Sequence, residues 1–431
     1  MVATAPEEFL VCRDNIEEIG ANFAECFKKL AWDSKDQFIT TPIHALPTGN
    51  ETGTFLALDL GGTNLRVAVI QLLGSPSHGT LIIEQKRSEI PAHFKCASAE
   101  DLFSWVGDCI NDVLNSYLEN SAVTQKPSIM KMGVTFSFPC EQSSHSKAIL
   151  MPMGKGFTFK RTRDLATLLL SHEYCIPVEI IAITNDSVAT LLSVAYIHPG
   201  AAAGIIAGTG TNATCLVPAS DLSESKQPKE GKAVLCNTEW SINGTLPPVE
   251  KYRTAADIAL GNASEKPGFQ PLEEMISGRY MREIVRLSMG EDIGPEYKEP
   301  YSLPGETCSS VEACTEWTEA AKFLPSGWNK EKVTRFMEIA KAVSERSAVL
   351  LAAATYGLMK FNGAVEKSKG GELVIGWTGS VLEKHCGYQK RYQQALDQLL
   401  GDEVKAVLVE AQEGGIVGAA VLAGMVMEGT T

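Results

Sequence analysis

One pattern of residues occurs twice in the chain and constrains the fold more than any other feature. Residues 56–70 read LALDLGGTNLRVAVI, and residues 204–216 read GIIAGTGTNATCL. In both segments an apolar run leads into glycines and a Thr-Asn pair, and a second apolar run follows. This pattern predicts two strands joined by a short turn, and in a plain hairpin the glycines would supply the positive φ that the turn needs. Its repetition predicts an internal duplication, with two related halves that face each other.

The remaining segments alternate between strand and helix patterns, which predicts an α/β fold. Strands are predicted at 55–60, 65–72, 80–90, 130–138, 178–183, 204–216, 372–377 and 406–411. Helices are predicted at 7–32, 99–118, 163–172, 186–195, 333–360, 387–400 and after Gly418. A loop rich in Pro, Cys and Ser is predicted up to Phe157.

Charge and composition exclude several classes of protein. The formal net charge is −14, which disfavours binding to nucleic acid or to anionic membranes. No apolar run reaches the roughly 18 residues of a membrane helix, and the acidic N-terminus does not resemble a signal peptide. The 11 cysteines form no C-x-x-C pair, so no zinc site is visible. These features predict a cytoplasmic protein.

The two glycine turns are candidates for holding phosphates. A P-loop sequence is absent, and the G-x-G-x-x-A match at Gly208, Gly210 and Ala213 continues as a strand instead of opening a helix. The remaining possibility is a turn whose backbone amides bind an anion, together with Thr and Asn side chains. A plain hairpin explains either turn alone, but not the acidic Asp59 within a buried strand.

Several motifs in fixed order resemble those of the hexokinase family, which shares the sugar kinase/actin/Hsp70 superfold. They run from about Leu56 to the C-terminus: LDLGGTNLRV, FSFP, GKGF, ITNDSVATL, IIAGTGTNA, NTEW, EEMISGRYMREIVRL and TGSV. The resemblance implies a single catalytic unit of two RNase-H-like α/β domains, with mixed sheets flanked by helices and a cleft between them. It implies a small domain at 55–186 and a large domain at 187–431. Residues 1–54 would pack on the large domain, and a last helix at about 417–428 would return to the small one.

The resemblance also implies ATP and Mg²⁺ as the phosphoryl donor and its metal, and it assigns roles to individual residues. Asp186 is the expected catalytic base, assisted by Lys155; the alternative for Asn185 or Asp186 is a helix cap. Asp59 is the expected Mg²⁺ ligand, through water; the alternative is a hydrogen bond within the turn. The expected ATP-binding residues are Asp59, Gly61, Gly62, Thr63, Asn64, Arg66, Thr209, Gly210, Gly379, Ser380, Gly414 and Gly415.

A sugar needs several fixed hydrogen-bond partners. The resemblance assigns these to Ser137, Gly154, Lys155, Asn185, Asp186, Asn212, Glu239 and Glu273. Gly154 stands where the family usually has Thr, which widens the expected sugar pocket. The expected reaction is phosphorylation of the 6-hydroxyl of a hexose such as glucose. Two alternatives stay open, an N-acetylglucosamine kinase and a non-catalytic sugar sensor.

Overall fold

The two repeated segments form the first hairpins of two sheets that share one strand order. The structure, a computed structural model, describes residues 6–77, 79–121, 126–138, 140–151, 157, 164–229 and 231–431. Its strands are β1 (Ile39–Thr40), β2 (Thr52–Leu60), β3 (Asn64–Leu73), β4 (Thr80–Glu89), β5 (Met130–Phe136), β6 (Cys140–Ser144), β7 (Lys147–Leu150), β8 (Val178–Thr184), β9 (Ala203–Ala207), β10 (Thr211–Pro218), β11 (Ala233–Asn237), β12 (Gly371–Thr378) and β13 (Val404–Glu410).

The helices lie between and beside these strands. Those of the first half are α1 (Pro6–Asp14), α2 (Ile16–Asp33), α3 (Ala99–Glu119), α4 (Leu165–Leu169) and α5 (Asp186–Ile197). Those of the second half are α6 (Ala255–Ala263), α7 (Pro271–Ile276), α8 (Gly278–Met289), α9 (Gly305–Glu312), α10 (Trp317–Ala320), α11 (Lys330–Phe361), α12 (Ala364–Lys367), α13 (Ser380–Lys384), α14 (Tyr388–Leu400) and α15 (Gly414–Glu428).

The two sheets confirm the predicted duplication. The first has the order β4-β3-β2-β5-β8, and the second has the order β11-β10-β9-β12-β13, with β1 added beside β11. In the first sheet β2, β3 and β4 pair antiparallel, β5 pairs parallel with β2, and β8 pairs parallel with β5. The second sheet repeats this arrangement: β9, β10 and β11 pair antiparallel, β12 pairs parallel with β9, and β13 pairs parallel with β12. The predicted α/β class with mixed sheets is therefore correct.

Two helices pack against each other between the sheets. Helix α15 covers the face of the first sheet formed by β2 and β5, and α5 lies against β9 and β10 of the second. They approach closely because Gly418 faces the backbone of Ala189, where an added Cβ would lie 2.1 Å from the Ala189 oxygen. At the N-terminus, α1 and α2 pack against the long helix α11.

Three local predictions were wrong. The predicted helix at 7–32 is two helices, because the Asn15 side chain donates a 2.8 Å hydrogen bond to the Val11 carbonyl and ends the first one. The predicted loop before Phe157 contains the β6–β7 hairpin, whose polar sequence hides the strand pattern. The last helix begins at Gly414, ahead of Gly418.

Candidate active site

The first turn, Gly61–Thr63, places an ion pair at the end of the hairpin of the first sheet. Asp59 and Arg66 are register partners across β2 and β3, and Arg66 Nη1 lies 2.9 Å from Asp59 Oδ2. Burial raises the pKa of Asp59 from 3.8 to about 6, although Arg66 lowers it; nearby Asp186 and Glu413 raise it further. The hairpin thus holds a buried carboxylate whose charge is only partly compensated.

The start of α15 closes over this carboxylate. An added Cβ on Gly415 would lie 2.4 Å from Asp59 Oδ2, so only glycine fits at this position. Thr135, the register partner of Asp59 on β5, donates a 2.8 Å hydrogen bond to the Gly415 carbonyl. Arg66 Nε lies 3.5 Å from Glu413 Oε2, just before the helix. The predicted residues Gly414 and Gly415 therefore lie beside Asp59 and Arg66.

The second turn, Gly208–Gly210, is the counterpart of the first in the second sheet. The Gly208 N–H donates to the Gly210 carbonyl at 2.9 Å, as the Gly61 N–H donates to Asn64 at 3.0 Å in the first turn. Glu273 lies against the second turn, because Thr211 N–H donates to its Oε2 at 3.1 Å. This contact brings a predicted sugar-binding carboxylate to the predicted phosphate-binding turn.

The glycines of the two turns lack the positive φ that a plain hairpin would use, and Gly210 of the second turn allows a close approach. Gly61, Gly62, Gly208 and Gly210 are all described, and none of the four has a positive φ. An added Cβ on Gly210 would lie 2.6 Å from Glu273 Oε2. The positive φ belongs instead to Gly379, at +119°, where an added Cβ would lie 2.4 Å from the Ala207 oxygen. Gly379 and Ser380 are thereby held against the second turn.

Asp186 lies at the first position of α5, between the two sheets. Its neighbour Asn185 caps the helix by accepting a 2.9 Å hydrogen bond from Val188 N–H. The Asp186 Oδ1 accepts a 2.8 Å bond from Ser187 N–H. The helix cap expected for one of these two residues is therefore Asn185, and the Asp186 carboxylate is held at the helix N-terminus without serving as the cap.

A cluster of amides and one carboxylate adjoins the start of α5. Asn212 and Asn237 each donate a side-chain hydrogen bond to Glu239 Oε1, at 3.0 and 2.7 Å. The Ser187 and Thr214 hydroxyls are 2.6 Å apart, which joins α5 to the second sheet beside this cluster. The Ser187 hydroxyl also lies 3.4 Å from Asn185 Oδ1 and 3.5 Å from Asn237 Oδ1, so the start of α5 adjoins the predicted residues Asn212 and Glu239.

Two carboxylates of the site have unusual backbone conformations. Glu239 has a φ of +45° and Glu413 a φ of +49°, and only two other described residues besides glycines have positive values. A positive φ costs about 1 kcal/mol or more in a residue with a side chain, so it persists where surrounding contacts enforce it. The backbone conformation of Glu239 is stabilised in part by Gln37, whose Nε2 donates a hydrogen bond to the Glu239 carbonyl at 3.0 Å.

The remaining predicted site residues lie beside the two turns or outside the described part of the chain. Ser137 follows β5, and its N–H donates to the Leu60 carbonyl at 3.1 Å, which places it beside the first turn. Thr63 and Thr209 are exposed at the tips of the two turns. Gly154 and Lys155 lie outside the described residues.

Two comparisons by sequence give the same family. Hexokinase family models match residues 1–196 and 202–425. Hexokinase-1 of Nicotiana tabacum is 31% identical over 90% of this chain and 83% of the relative. Hexokinase-1 of Schizosaccharomyces pombe is 28% identical over 98% of this chain and 90% of the relative.

The chain belongs to the hexokinase family. It is a sugar kinase, a phosphotransferase that acts on a sugar hydroxyl. The solved structure of the Schistosoma mansoni hexokinase in complex with glucose superimposes with a TM-score of 0.82, at 27% identity and over 97% of both chains. This likeness confirms the predicted actin-like fold of two domains. No helix among the described residues has the length and apolar character that crossing a membrane requires.

The residues around Asp59 fit a magnesium ion that would bind together with a nucleotide. No group of three or more His, Cys, Asp or Glu side chains in the described part of the chain is placed to hold a metal by itself. The buried carboxylate of Asp59, with its raised pKa, is the kind of oxygen ligand that Mg²⁺ prefers, and the phosphates and water would supply the remaining ligands.

Two hydrogen-bonding residues of the site were missed by the sequence reasoning. Asn237 orients Glu239, and Gln270 Nε2 donates to Glu273 Oε1 at 3.0 Å. Asn237 lies in the NTEW motif, two positions before Glu239, and Gln270 lies three positions before Glu273, the first residue of the EEMISGRYMREIVRL motif. An amide near an expected buried carboxylate is the signal that could have identified them, because such a carboxylate needs donors.

Proposed function

We propose that this hexokinase transfers the terminal phosphoryl group of MgATP to the 6-hydroxyl of a hexose, with Asp186 as the catalytic base. Glucose is the first candidate substrate, since a hexokinase of similar structure was solved with that sugar. The observation that carries the proposal is the position of Asp186. It lies close enough to Asp59 to raise the pKa of that group, and its neighbour Ser187 contacts the second sheet.

The carboxylates on the sugar side are oriented before the substrate binds. Glu239 is held by Asn212 and Asn237, and Glu273 by Gln270 and the Thr211 N–H. Carboxylate oxygens accept hydrogen bonds from sugar hydroxyls, and fixed geometry reduces the entropy lost on binding. We propose that these residues, with Ser137, Gly154, Lys155, Asn185 and Asp186, orient the sugar so that its 6-hydroxyl faces the nucleotide.

The nucleotide is proposed to lie against both turns. Amides and hydroxyls of the first turn, with Asn64 and Arg66, would bind phosphate oxygens, and Asp59 would hold Mg²⁺ through water. Thr209 and Gly210 would contact the terminal phosphates. Gly379, Ser380, Gly414 and Gly415 would approach the remaining phosphates and the adenosine, since Gly379 packs against the second turn at Ala207 and Gly415 packs against Asp59.

Phosphoryl transfer depends mainly on positioning and on stabilising negative charge. A carboxylate is a weak base toward an alcohol, so Asp186 would accept the 6-hydroxyl proton late, as the bond from oxygen to phosphorus forms. The Ser187 N–H fixes the orientation of Asp186 for this step. Lys155 would offset charge that develops near the acceptor oxygen.

Replacement of Asp186 tests the proposal. Asp186→Ala should lower kcat by about 10²- to 10⁴-fold while sugar binding by calorimetry changes little. Asp402→Ala, a change at an exposed aspartate, is the matched control and should keep full activity. Turnover would be followed as ADP release with glucose, mannose, fructose and N-acetylglucosamine. A variant that keeps parental turnover refutes Asp186 as the base, and a parent that prefers N-acetylglucosamine refutes the hexose assignment.

A further inference from the structure

An ionic cluster around the buried Glu312 joins α9, α11 and α14 next to the end of α13. Glu312, the last residue of α9, has a side chain only 3% exposed. Its Oε2 lies 2.9 Å from His385 Nε2, and its Oε1 lies 2.7 Å from Arg391 Nη1. Because a carboxylate can only accept, the Nε2 of His385 carries the hydrogen in this contact. One carboxylate therefore binds two side chains from another part of the chain.

Further hydrogen bonds tie the backbone next to His385 to the same cluster. The Cys386 N–H donates to Ser309 Oγ at 3.0 Å, so α9 contacts this segment twice. Arg391 Nη2 donates to the Cys386 carbonyl at 2.9 Å and to Ser344 Oγ of α11 at 2.6 Å. These bonds join the Cys386 backbone to α9, α11 and α14.

The cluster is connected to the proposed nucleotide site by one short helix. Helix α13 spans Ser380–Lys384, so His385 follows its last residue and Gly379 precedes its first. Within it, Glu383 N–H donates to Gly379 and His385 N–H donates to Val381. The Gly379 end lies against the second turn, as its approach to Ala207 shows. His385 and Gly379 are thus joined by a single turn of helix.

We propose that Glu312 is a positioning residue for the nucleotide, acting through His385 and Arg391 on Gly379 and Ser380. The inference rests on the proposed function, in which these two residues approach ATP. A misplacement of about 1 Å is enough to lower the rate of an enzyme strongly. Glu312 contacts His385 and Arg391, and in this proposal it touches no reacting group and is therefore not a catalytic residue.

The test compares the two substrates. Glu312→Gln keeps the size of the side chain but removes the charge that binds His385 and Arg391. The KM for MgATP should rise about tenfold, while the KM for the sugar should change by less than twofold. In thermal unfolding, the increase in Tm caused by MgADP should shrink, and the increase caused by the sugar should remain. Equal changes for both substrates would refute the inference.

Two further variants keep the test informative if Glu312→Gln folds poorly. Ser309→Ala removes only the bond to the Cys386 N–H, and it should raise the KM for MgATP by about two- to fivefold with the same selectivity. Asp257→Asn is the control, because Asp257 forms a buried ion pair with Arg346 between α6 and α11. It should lower Tm without a selective change in either KM. A selective loss of MgATP affinity in Asp257→Asn, or none in Ser309→Ala, would contradict the role of Glu312.

The outcomes separate this inference from the proposed function. If Asp186→Ala keeps its turnover, the proposed function fails whatever Glu312 does. If Asp186→Ala is inactive while the Glu312 and Ser309 variants keep parental KM values for MgATP, the function stands and the positioning role of Glu312 is refuted.

Discussion

Arg66 and Asp59 face each other across one hairpin, and their ion pair of 2.9 Å only partly offsets the cost of burying the carboxylate. Burial has the larger effect, so the pKa of Asp59 is raised to about 6. A protein would be more stable with a neutral group in this place. The charge is retained where the proposed Mg²⁺ and phosphates bind, which is typical of a site that gives up stability for function.

Asp59→Asn should therefore stabilise the protein at neutral pH in the absence of substrates. The folded-state pKa is raised above the unfolded value, so the contribution of Asp59 to stability is fully present below about pH 4 and is lost as the pH rises through 6. Near pH 7.5 we expect the variant to exceed the parent by about 1–3 kcal/mol in the free energy of unfolding.

The measurement is unfolding by denaturant at several pH values between 4 and 8. The advantage of Asp59→Asn should decrease steadily toward the acidic end, and Asp402→Asn should show no such trend. Activity should fall in the same variant, because Asn is a poorer ligand for Mg²⁺. A difference in stability that does not depend on pH would show that Asp59 keeps an ordinary pKa.

Thr184 permits a second prediction about buried polar groups. Its hydroxyl has no hydrogen-bond partner among the described residues, although the residue is only 5% exposed. An unpaired buried hydroxyl costs about 1–3 kcal/mol, so Thr184→Val should raise the free energy of unfolding by about 1 kcal/mol. Thr355→Val is the opposite case, since Thr355 Oγ1 bonds the Leu351 carbonyl and the Tyr392 hydroxyl.

The same substitution, Thr to Val, should change the free energy of unfolding in opposite directions at these two positions. Thr355→Val should lower the free energy of unfolding by about 1–2 kcal/mol, because it leaves the buried Tyr392 hydroxyl without that partner. Thermal unfolding of both proteins, side by side, is sufficient. A loss of stability in Thr184→Val would mean that its hydroxyl has a partner, such as water, that these contacts do not include.

Much of the fold could be predicted because its signals are local and repeated. The duplicated hairpins, the long helix α11 and the parallel strands β12 and β13 have clear periodicity in the sequence. The β6–β7 hairpin has none, since residues 140–147 are mostly polar and the pairing is supported by tertiary contacts. One such contact is the Gln142 side chain, which donates to the Ile183 carbonyl on β8 at 2.8 Å. Periodicity cannot reveal a strand that is stabilised in this way.

The sequence predicts a set of candidate site residues but not the hydrogen-bond network that joins them. The family resemblance identified Glu239 and Glu273 as site residues. Residue spacing alone does not distinguish them from acidic residues on the surface. The resemblance did not supply Asn237 and Gln270, the donors that orient them, or Glu413 beside Arg66. These contacts join segments distant in the chain or depend on rotamers, and a linear pattern contains neither kind of information.

Removal of one partner of the ion pair between Asp257 and Arg346 should lower the stability of the protein strongly. Arg346 Nη1 and Nη2 bind the two carboxylate oxygens at 2.5 and 2.7 Å, and both side chains are at most 1% exposed. Asp257→Ala leaves a buried guanidinium without its counter-charge, which costs about 3–5 kcal/mol. Chemical unfolding should detect this loss, and a change below about 1 kcal/mol would contradict the pairing.

The crossing of α5 and α15 links the fold directly to activity. Gly418 faces the Ala189 backbone, and an added Cβ would lie 2.1 Å from a carbonyl oxygen that cannot move independently of its helix. Gly418→Ala should push the two helices apart and lower the free energy of unfolding by about 1–3 kcal/mol. Because α5 begins at Asp186 and α15 begins beside Asp59, kcat should fall as well.

Gly424→Ala is the matched control in the same helix. Its added Cβ would lie 2.7 Å from Leu72 Cδ1, the end of a flexible side chain, and 3.3 Å from Glu51 Cβ, so it meets side-chain atoms and no backbone. The higher helix propensity of Ala, about 1 kcal/mol over Gly, offsets this contact. We expect near-parental Tm and kcat for Gly424→Ala and a decrease in both for Gly418→Ala. If the two variants behave alike, helix propensity decides the outcome, and the close approach of α5 to α15 does not control the geometry of the site.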